Sequence, residues 1–325
     1  MRVLIVFAAA LLAVSALPAH EDWTLFKAKH GKSYGSLDEE KLRFQIFQDN
    51  VQKINSHNAL YEAGLETYTM AVNKFADLTP KEFGAMFRHQ NGPSTSKHLA
   101  RHVQNQNLTT PEYIDWRQKN VVLEVKDQGK CKAGWAFSAT GALEAQNAIK
   151  TGKLLSLSEQ QLIDCDTNSI DKGCIDGDMT SAFDYIIKNG INSEHDYPFE
   201  GINNTCRSMS RTELSVKEAR SLLEQTEAAL REAVGTIGPI CAAIYHEPIQ
   251  FYQTGIFESS SCSNDLALLN HGVLVVGYGM DNDQNYWIIK NSWGADWGDR
   301  GYIRLARDAN NQCGIAYDTV YPVLN

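Results

Sequence analysis

The cysteines of this chain crowd into its C-terminal part. All seven cysteines lie after residue 130: Cys131, Cys165, Cys174, Cys206, Cys241, Cys262 and Cys313. In a secreted chain, cysteines confined to one part read as disulfides in that part. The odd count leaves one thiol over, and spacing alone does not say which. No C-x-x-C pair occurs, so no zinc site is expected and no cofactor or metal is assigned. His271 opens an apolar run, a setting in which a lone histidine is more often a satisfied core residue than an acid–base group. Any chemistry must therefore rest on several blocks acting together.

Four blocks coincide. Asp127-Gln128-Gly129-Lys130-Cys131 runs into Trp135-Ala136-Phe137-Ser138. Asn270-His271-Gly272-Val273 opens a strand-like run, and Asn291-Ser292-Trp293-Gly294 precedes Trp297-Gly298 and Gly301-Tyr302. Upstream, Glu39, Arg43, Phe47, Asn50, Ile54 and Asn58 keep the spacing of the propeptide helix motif called ERFNIN. Asn73, Phe75 and Asp77 fit a second propeptide motif, with Ala71 in place of its first glycine. Together these blocks resemble the papain family, specifically its cathepsin L branch, across nearly all of residues 21–325.

The resemblance implies a mechanism. A cysteine at the start of a buried helix is ionised by the helix dipole and a histidine. The thiolate attacks the peptide carbonyl and the imidazolium protonates the leaving amine. A glutamine side chain and the nucleophile's own N–H bind the oxyanion. Carried over, Gln128 matches the oxyanion donor, His271 the histidine and Asn291 the asparagine that orients it. Trp293 matches the aromatic that shields the His–Asn contact.

The nucleophile departs from the pattern. Where the family reads Cys-Gly-Ser-Cys-Trp, this chain reads Cys131-Lys132-Ala133-Gly134-Trp135. Gly134 has no side chain and cannot attack. Three neighbours also differ. Lys132 replaces a glycine beside the S1 subsite. Asp176 replaces the first of the paired glycines in Gly173-Cys174-Ile175-Asp176-Gly177. Asp178 stands where an apolar residue usually lies near S2 and S3. Gly177, Asp176, Asp178 and Trp293 are the substrate-binding positions the resemblance assigns.

The resemblance also pairs Cys131 with Cys174, Cys165 with Cys206 and Cys262 with Cys313. Cys241 is then the free thiol, read as a small buried hydrophobe rather than a replacement nucleophile. Asn107-Leu108-Thr109 and Asn203-Asn204-Thr205 are N-glycosylation sequons.

The elements that must position these residues follow from composition. Arg2, the apolar run Val3–Val14 and Val14-Ser15-Ala16 read as a signal peptide over residues 1–16. Residues 17–108 read as an inhibitory propeptide ending in a polar, cleavable linker at 91–110. Leu37–Asn58 lacks Pro and Gly, and Leu42, Ile46, Val51 and Ile54 predict its buried helical face. Residues 109–325 read as the peptidase-like domain. Gly134–Lys150, small and apolar, predicts a helix buried on several sides. Ser158–Cys165 and Met179–Lys188 predict shorter helices. Ile240–Tyr245, Val273–Tyr278, Tyr286–Lys290 and Tyr302–Ala306 predict strands. The expected fold is α+β: a papain-like pair of lobes, one helical and one barrel-like, behind a helical propeptide domain.

The chain has 325 residues, 43% hydrophobic and 21% charged, with net charge −9. That charge argues against nucleic acid as the main partner. No later stretch is apolar and long enough to span a bilayer. The expectation is a secreted or lysosomal monomer, an inactive protease homologue whose cleft holds a peptide, a protein, its own propeptide or a cystatin-like inhibitor. The alternative is an active digestive or lysosomal endopeptidase, with Gly134 an artefact or an engineered change.

Overall fold

A computed structural model describes residues 18–87, 99–105, 108–167, 171–207 and 212–325. The signal segment 1–16, part of the polar linker and Asn107 lie outside the described residues.

The N-terminal unit is built on two helices, α1 (Pro18–His30) and α2 (Leu37–Glu62). Ser36 starts α2 by accepting from the Glu39 N–H, while the Glu39 carboxylate accepts from the Gly35 N–H, a reciprocal cap. The inward stripe of α2 runs through Arg43, Phe47, Asn50, Ile54 and His57, at alternating steps of four and three. Leu42, expected on the buried face, is 56% exposed instead. It sits one residue, about 100°, off the stripe that Phe47 and Asn50 set against α1 and the following loop.

Each propeptide motif residue makes specific local contacts. Arg43 donates to the Asp77 carbonyl and to Glu82. Asn50 is buried and donates to the carbonyls of Ala76 and Leu78 at 2.9 Å each. Asn58 exchanges two bonds with Met70 on β1 (Tyr68–Met70). Asp77 accepts from Lys32 and Tyr34, and Asn73 donates to the Gln250 carbonyl across the molecule. The short helix α3 (Pro80–Phe87) follows. Strand β1 was not anticipated within the helical unit; it is only three residues long and is held by pairing with a distant strand.

Two further strands lead into the C-terminal unit, β2 (Ala100–His102) and β3 (Ile114–Asp115). Part of the expected cleavable linker is therefore strand. Its polar composition conceals this, because the pairing uses backbone groups rather than an apolar pattern. The helical lobe comprises α4 (Gly134–Thr151), α5 (Glu159–Cys165) and α6 (Met179–Asn189). The strands that follow are β4 (Val216–Leu222), β5 (Ile240–Ile244), β6 (Tyr252–Phe257), β7 (His271–Asp281), β8 (Gln284–Lys290), β9 (Tyr302–Ala306) and β10 (Thr319–Leu324). Helix α7 (Glu227–Thr236) lies between β4 and β5. The expected α+β, two-lobe architecture is present. Strand β4 and helix α7 were not among the elements read from the sequence.

The ten strands form one sheet in the order β1-β6-β9-β8-β7-β5-β10-β4-β2, with β3 on β7. One apolar cluster surrounds α4, with Trp135, Phe183, Leu274 and Val320. A second joins the propeptide aromatics Trp23, Phe47, Phe75 and Phe83 to Trp287, Trp293 and Trp297 of the β lobe. The three disulfides pair as the resemblance implied: Cys131–Cys174, Cys165–Cys206 and Cys262–Cys313.

The two sides of α2 separate in a mutational test. Asn50→Ala takes the amide donor from the buried Ala76 carbonyl, and one of two donors from the Leu78 carbonyl, and should cost about 1–3 kcal/mol of unfolding free energy. Leu42→Ala, on the exposed side, should change it by no more than about 0.5 kcal/mol. Urea titrations of the full chain read both; equal losses would remove the stripe assignment.

Candidate active site

Helix α4 begins against the first residues of β7, where the two apolar clusters meet. Its N-cap, Ala133, makes no side-chain cap hydrogen bond, and the positive end of the helix dipole lies at the buried Gly134, beside His271. The end of this helix is pinned nearby. Cys131 is bonded to Cys174, and the Lys132 N–H donates to the Cys174 carbonyl at 3.0 Å. Gly177 lies so near the Trp135 indole that a Cβ would fall 2.2 Å from the ring, so only glycine fits there.

His271 faces Gly134. The Ser292 N–H donates to Asn291 Oδ1 at 2.8 Å, which fixes the amide's orientation. The contact between His271 Nε2 and Asn291 Oδ1 at 2.9 Å therefore has the imidazole as donor. Nε2 carries the proton in this arrangement, and Nδ1 is the nitrogen turned toward Gly134. A Cβ built at residue 134 would lie 2.6 Å from His271 Nδ1 and 2.7 Å from Cε1. The imidazole thus occupies space that any longer side chain at 134 would need. Gly272 approaches from the other side, with its own Cβ position 3.0 Å from the Gly134 carbonyl. Helix and strand meet here backbone to backbone.

Trp293 stacks on the His271 ring at 4.9 Å and 25°. Gln128 is buried. Its Nε2 donates to the Cys131 carbonyl at 2.7 Å, and its Oε1 accepts from the Ser292 hydroxyl at 2.5 Å. The structure thus brings Gln128, Gly134, His271, Asn291 and Trp293 into one site, at the ends of α4, β7 and β8. Asp176 and Gly177 lie on the adjoining loop, where the Asp176 carboxylate accepts from the Gly177 N–H at 3.0 Å. Asp178 serves the fold: its carboxylate accepts from the Thr180 and Ser181 N–H groups and caps α6. Asn203, the described sequon residue, is exposed, and its Oδ1 accepts from the Cys174 N–H. Cys241 is fully buried, its thiol donating to the Ser138 carbonyl, and burial pushes that thiol up to about 12.

Several site residues were not singled out from sequence. Phe87 of α3 stacks on Trp293 at 4.7 Å and lies 5.9 Å from His271. Phe75 and Phe83 meet the same indole edge-on. His246, fully buried, holds Asn270 Oδ1 at 2.6 Å and packs 5.6 Å from His271. Behind Asn291 lies a buried charge cluster. Lys126 reaches Glu159 at 2.7 Å and Glu144 at 3.1 Å, and Thr140 donates to Glu159 at 2.6 Å. Burial alone would lower the Lys126 ammonium, but the two carboxylates outweigh it and hold it above its usual value. Glu144 was the one signal available: a carboxylate in the middle of an otherwise apolar helix.

Residues 110–323 match the profile of the papain family cysteine proteases, and residues 23–83 that of the cathepsin propeptide inhibitor domain (I29). The chain belongs to the papain family. Its relatives include a cathepsin L-like proteinase of Phaedon cochleariae, 45% identical over the whole of both chains. Digestive cysteine proteinase 3 of Homarus americanus is 42% identical, again with complete coverage. Among solved structures, digestive procathepsin L 3 of the Tenebrio molitor larval midgut superposes with a TM-score of 0.88 at 44% identity, covering 94% of this chain and 99% of that one. The papain-like fold and the family propeptide expected from sequence are both present.

The cluster behind the family's His–Asn pair gives a pH prediction. Desolvation pushes Glu159 from 4.5 up to about 7, opposed by Lys126 and reinforced by Glu144. Between those values the folded chain holds a proton that the unfolded chain releases. This group's contribution to stability is thus fully present at and below about pH 4.5 and is lost as the pH rises through 7. Glu159→Gln should flatten that decline in melting temperatures recorded from pH 4.5 to 7.5. A variant with the wild-type slope would place the titration elsewhere.

Proposed function

We propose that this chain is a propeptide-bearing papain-family protein that has lost peptidase activity and uses its cleft to hold a peptide or protein. Residues 1–16 would be a signal peptide directing it into the secretory pathway, residues 17–108 the propeptide and 109–325 the binding domain. The observation that carries the reading is Gly134 at the start of α4, facing His271 Nδ1 with no nucleophilic atom between them. In this reading His271 is the surviving acid–base group and Asn291 the residue that orients it. Gln128 and the Gly134 N–H are the surviving oxyanion donors, and Gly134 marks the place of the lost nucleophile. Trp293, Gly177, Asp176 and Asp178 border the subsites. Cys241 offers no replacement, being bonded inward and deprotonated only at strongly alkaline pH. An oxyanion hole and binding alone sustain roughly 10³–10⁴-fold acceleration over water in a triad protease stripped of a triad member. That is far below the ~10⁶-fold or more typical of enzymes.

The names of relatives such as the cathepsin L-like proteinase and digestive cysteine proteinase 3 favour the alternative of an active endopeptidase, and an assay separates the two. Chain freed of its propeptide by an added, removable protease should show no turnover of dipeptidyl fluorogenic substrates. Turnover more than ~10⁴-fold above water would reject the proposal. Gly134→Cys should rescue weakly, at least roughly tenfold below a typical cathepsin L in kcat/KM, or ~1.4 kcal/mol. The new Cβ has to displace His271, whose ring is also tied to Asn291 and stacked on Trp293. Changing Asp178→Leu alongside would remove the α6 cap at a cost of about 1 kcal/mol. Full activity from the single revertant would mean that the imidazole moves freely and that the endopeptidase reading is correct.

The same lesion removes self-processing. Purified proform held at about pH 4–5 should keep its full length until an active protease is added, followed by gel and intact mass. The added enzyme should cut in the polar stretch outside Ala100–His102, whose backbone is strand-paired. Spontaneous maturation of clean protein would contradict the assignment of Gly134.

A further inference from the structure

The linker strand β2 occupies a site made wholly by the C-terminal unit. It adds in parallel to β4, with Ala100, Arg101 and His102 opposite Arg220, Ser221 and Leu222. The Leu223 N–H donates to the His102 carbonyl at 2.9 Å. Strand β4 has β10 on its other side, so without β2 it would be the edge of the sheet, with a row of open backbone groups. Side chains add to the backbone ladder. Leu99 is buried in the apolar cluster that contains Val216 and Ala219. The His102 ring lies between the Tyr321 hydroxyl, 3.0 Å from Nδ1, and the Glu232 carboxylate, 3.4 Å from Nε2. Glu232 is only 3% exposed. The N–H groups of Gln104 and Asn105 then donate to Glu224 and Glu232. A groove of ≈ 540 Å³ continues beside this contact, lined by His102, Leu108, Gln146, Arg220 and Tyr321 among others.

We propose that the β4 edge, Glu232, Glu224 and Tyr321 form a second peptide-binding site, separate from the cleft between α4 and β7. Its occupant is an extended, basic segment with an apolar residue three positions before a histidine. The bound segment 99–105, Leu-Ala-Arg-His-Val-Gln-Asn, supplies the pattern. The backbone ladder gives affinity, and the pocket for the histidine gives selectivity. The charge agrees: the site presents Glu224 and Glu232, and the segment carries Arg101 and His102. In the intact chain the site is filled in cis. Once the linker is cut and this strand departs, the same edge takes up such a segment in trans. The site uses neither Gly134 nor His271, so it stands whether or not the cleft is catalytic.

The probe is a fluorescent peptide of the 99–105 sequence, titrated by anisotropy into full-length chain. His102→Ala loosens the cis strand, so this variant should bind the peptide at least about tenfold more tightly than wild type does. Replacing the peptide's own histidine by alanine, or adding Glu232→Gln to the His102→Ala chain, should each reverse that gain at least about fivefold. As a second arm, wild-type chain cleaved in its folded state by an added protease should bind the peptide saturably, and a cystatin in the cleft should not compete. Binding that ignores the histidine and Glu232, displacement by the cystatin, or no binding in either arm would overturn the proposal.

Discussion

The contact on which the rest depends is the meeting of the α4 N-terminus with the first residues of β7. A long helix buried on most sides can end against a strand only if little bulk intervenes, and Gly134 and Gly272 supply that thinness. The approach joins the helical cluster to the β cluster. It also aims a helix dipole at an imidazole and sets the wall on which Trp293 and the propeptide aromatics stack. The Ser292 N–H, by fixing one amide, decides which imidazole nitrogen faces the helix. A single backbone group thus sets the chemistry available at the centre of the molecule.

The propeptide is not a lid resting on a finished surface. Its Phe75, Phe83 and Phe87 belong to the same apolar cluster as Trp293 and Trp297, and across the boundary the Asn73 amide donates to the Gln250 carbonyl while the Gln250 amide donates to the Phe75 carbonyl. The Lys74–Asp127 pair ties it next to Gln128 at 2.6 Å. Burial of aromatic area and buried amide bonds at one seam explain why the spacing of polar residues on α2 matters as much as that of apolar ones. Asn50 and Asn58 hold the loop and strand that carry those aromatics to the seam.

Much of this was legible in the sequence, for particular reasons. Helix α4 announces itself through a stretch of mostly small and apolar residues. Strands β7, β8 and β9 do so through β-branched runs between turn residues. The site residues were legible because each sits in a block with fixed neighbours. What stayed hidden depends on partners far away in the chain. Strands β1 and β2 are three residues each and exist through backbone pairing with β6 and β4. Leu42 looked like a core residue, because one chain position cannot reveal which of two adjacent helix stripes meets a neighbour. Asp178 resembled a charge placed in a subsite, and its use as a helix cap appears only when α6 is seen to start at the next residue. The Lys126–Glu144–Glu159 cluster draws on three separated segments, and Glu144 within α4 is its only local trace.

The shared aromatic seam bears on how this chain can change over generations. While the propeptide stays attached, Trp293 is 1% exposed and Phe83 and Phe87 are as deeply enclosed. A polar replacement at any of them is then felt first as a folding defect, before any ligand is encountered. Selection to keep these rings then comes from biosynthesis as much as from recognition. Retention of the aromatic wall in descendants of this chain would therefore be poor testimony that the cleft beneath it is in use.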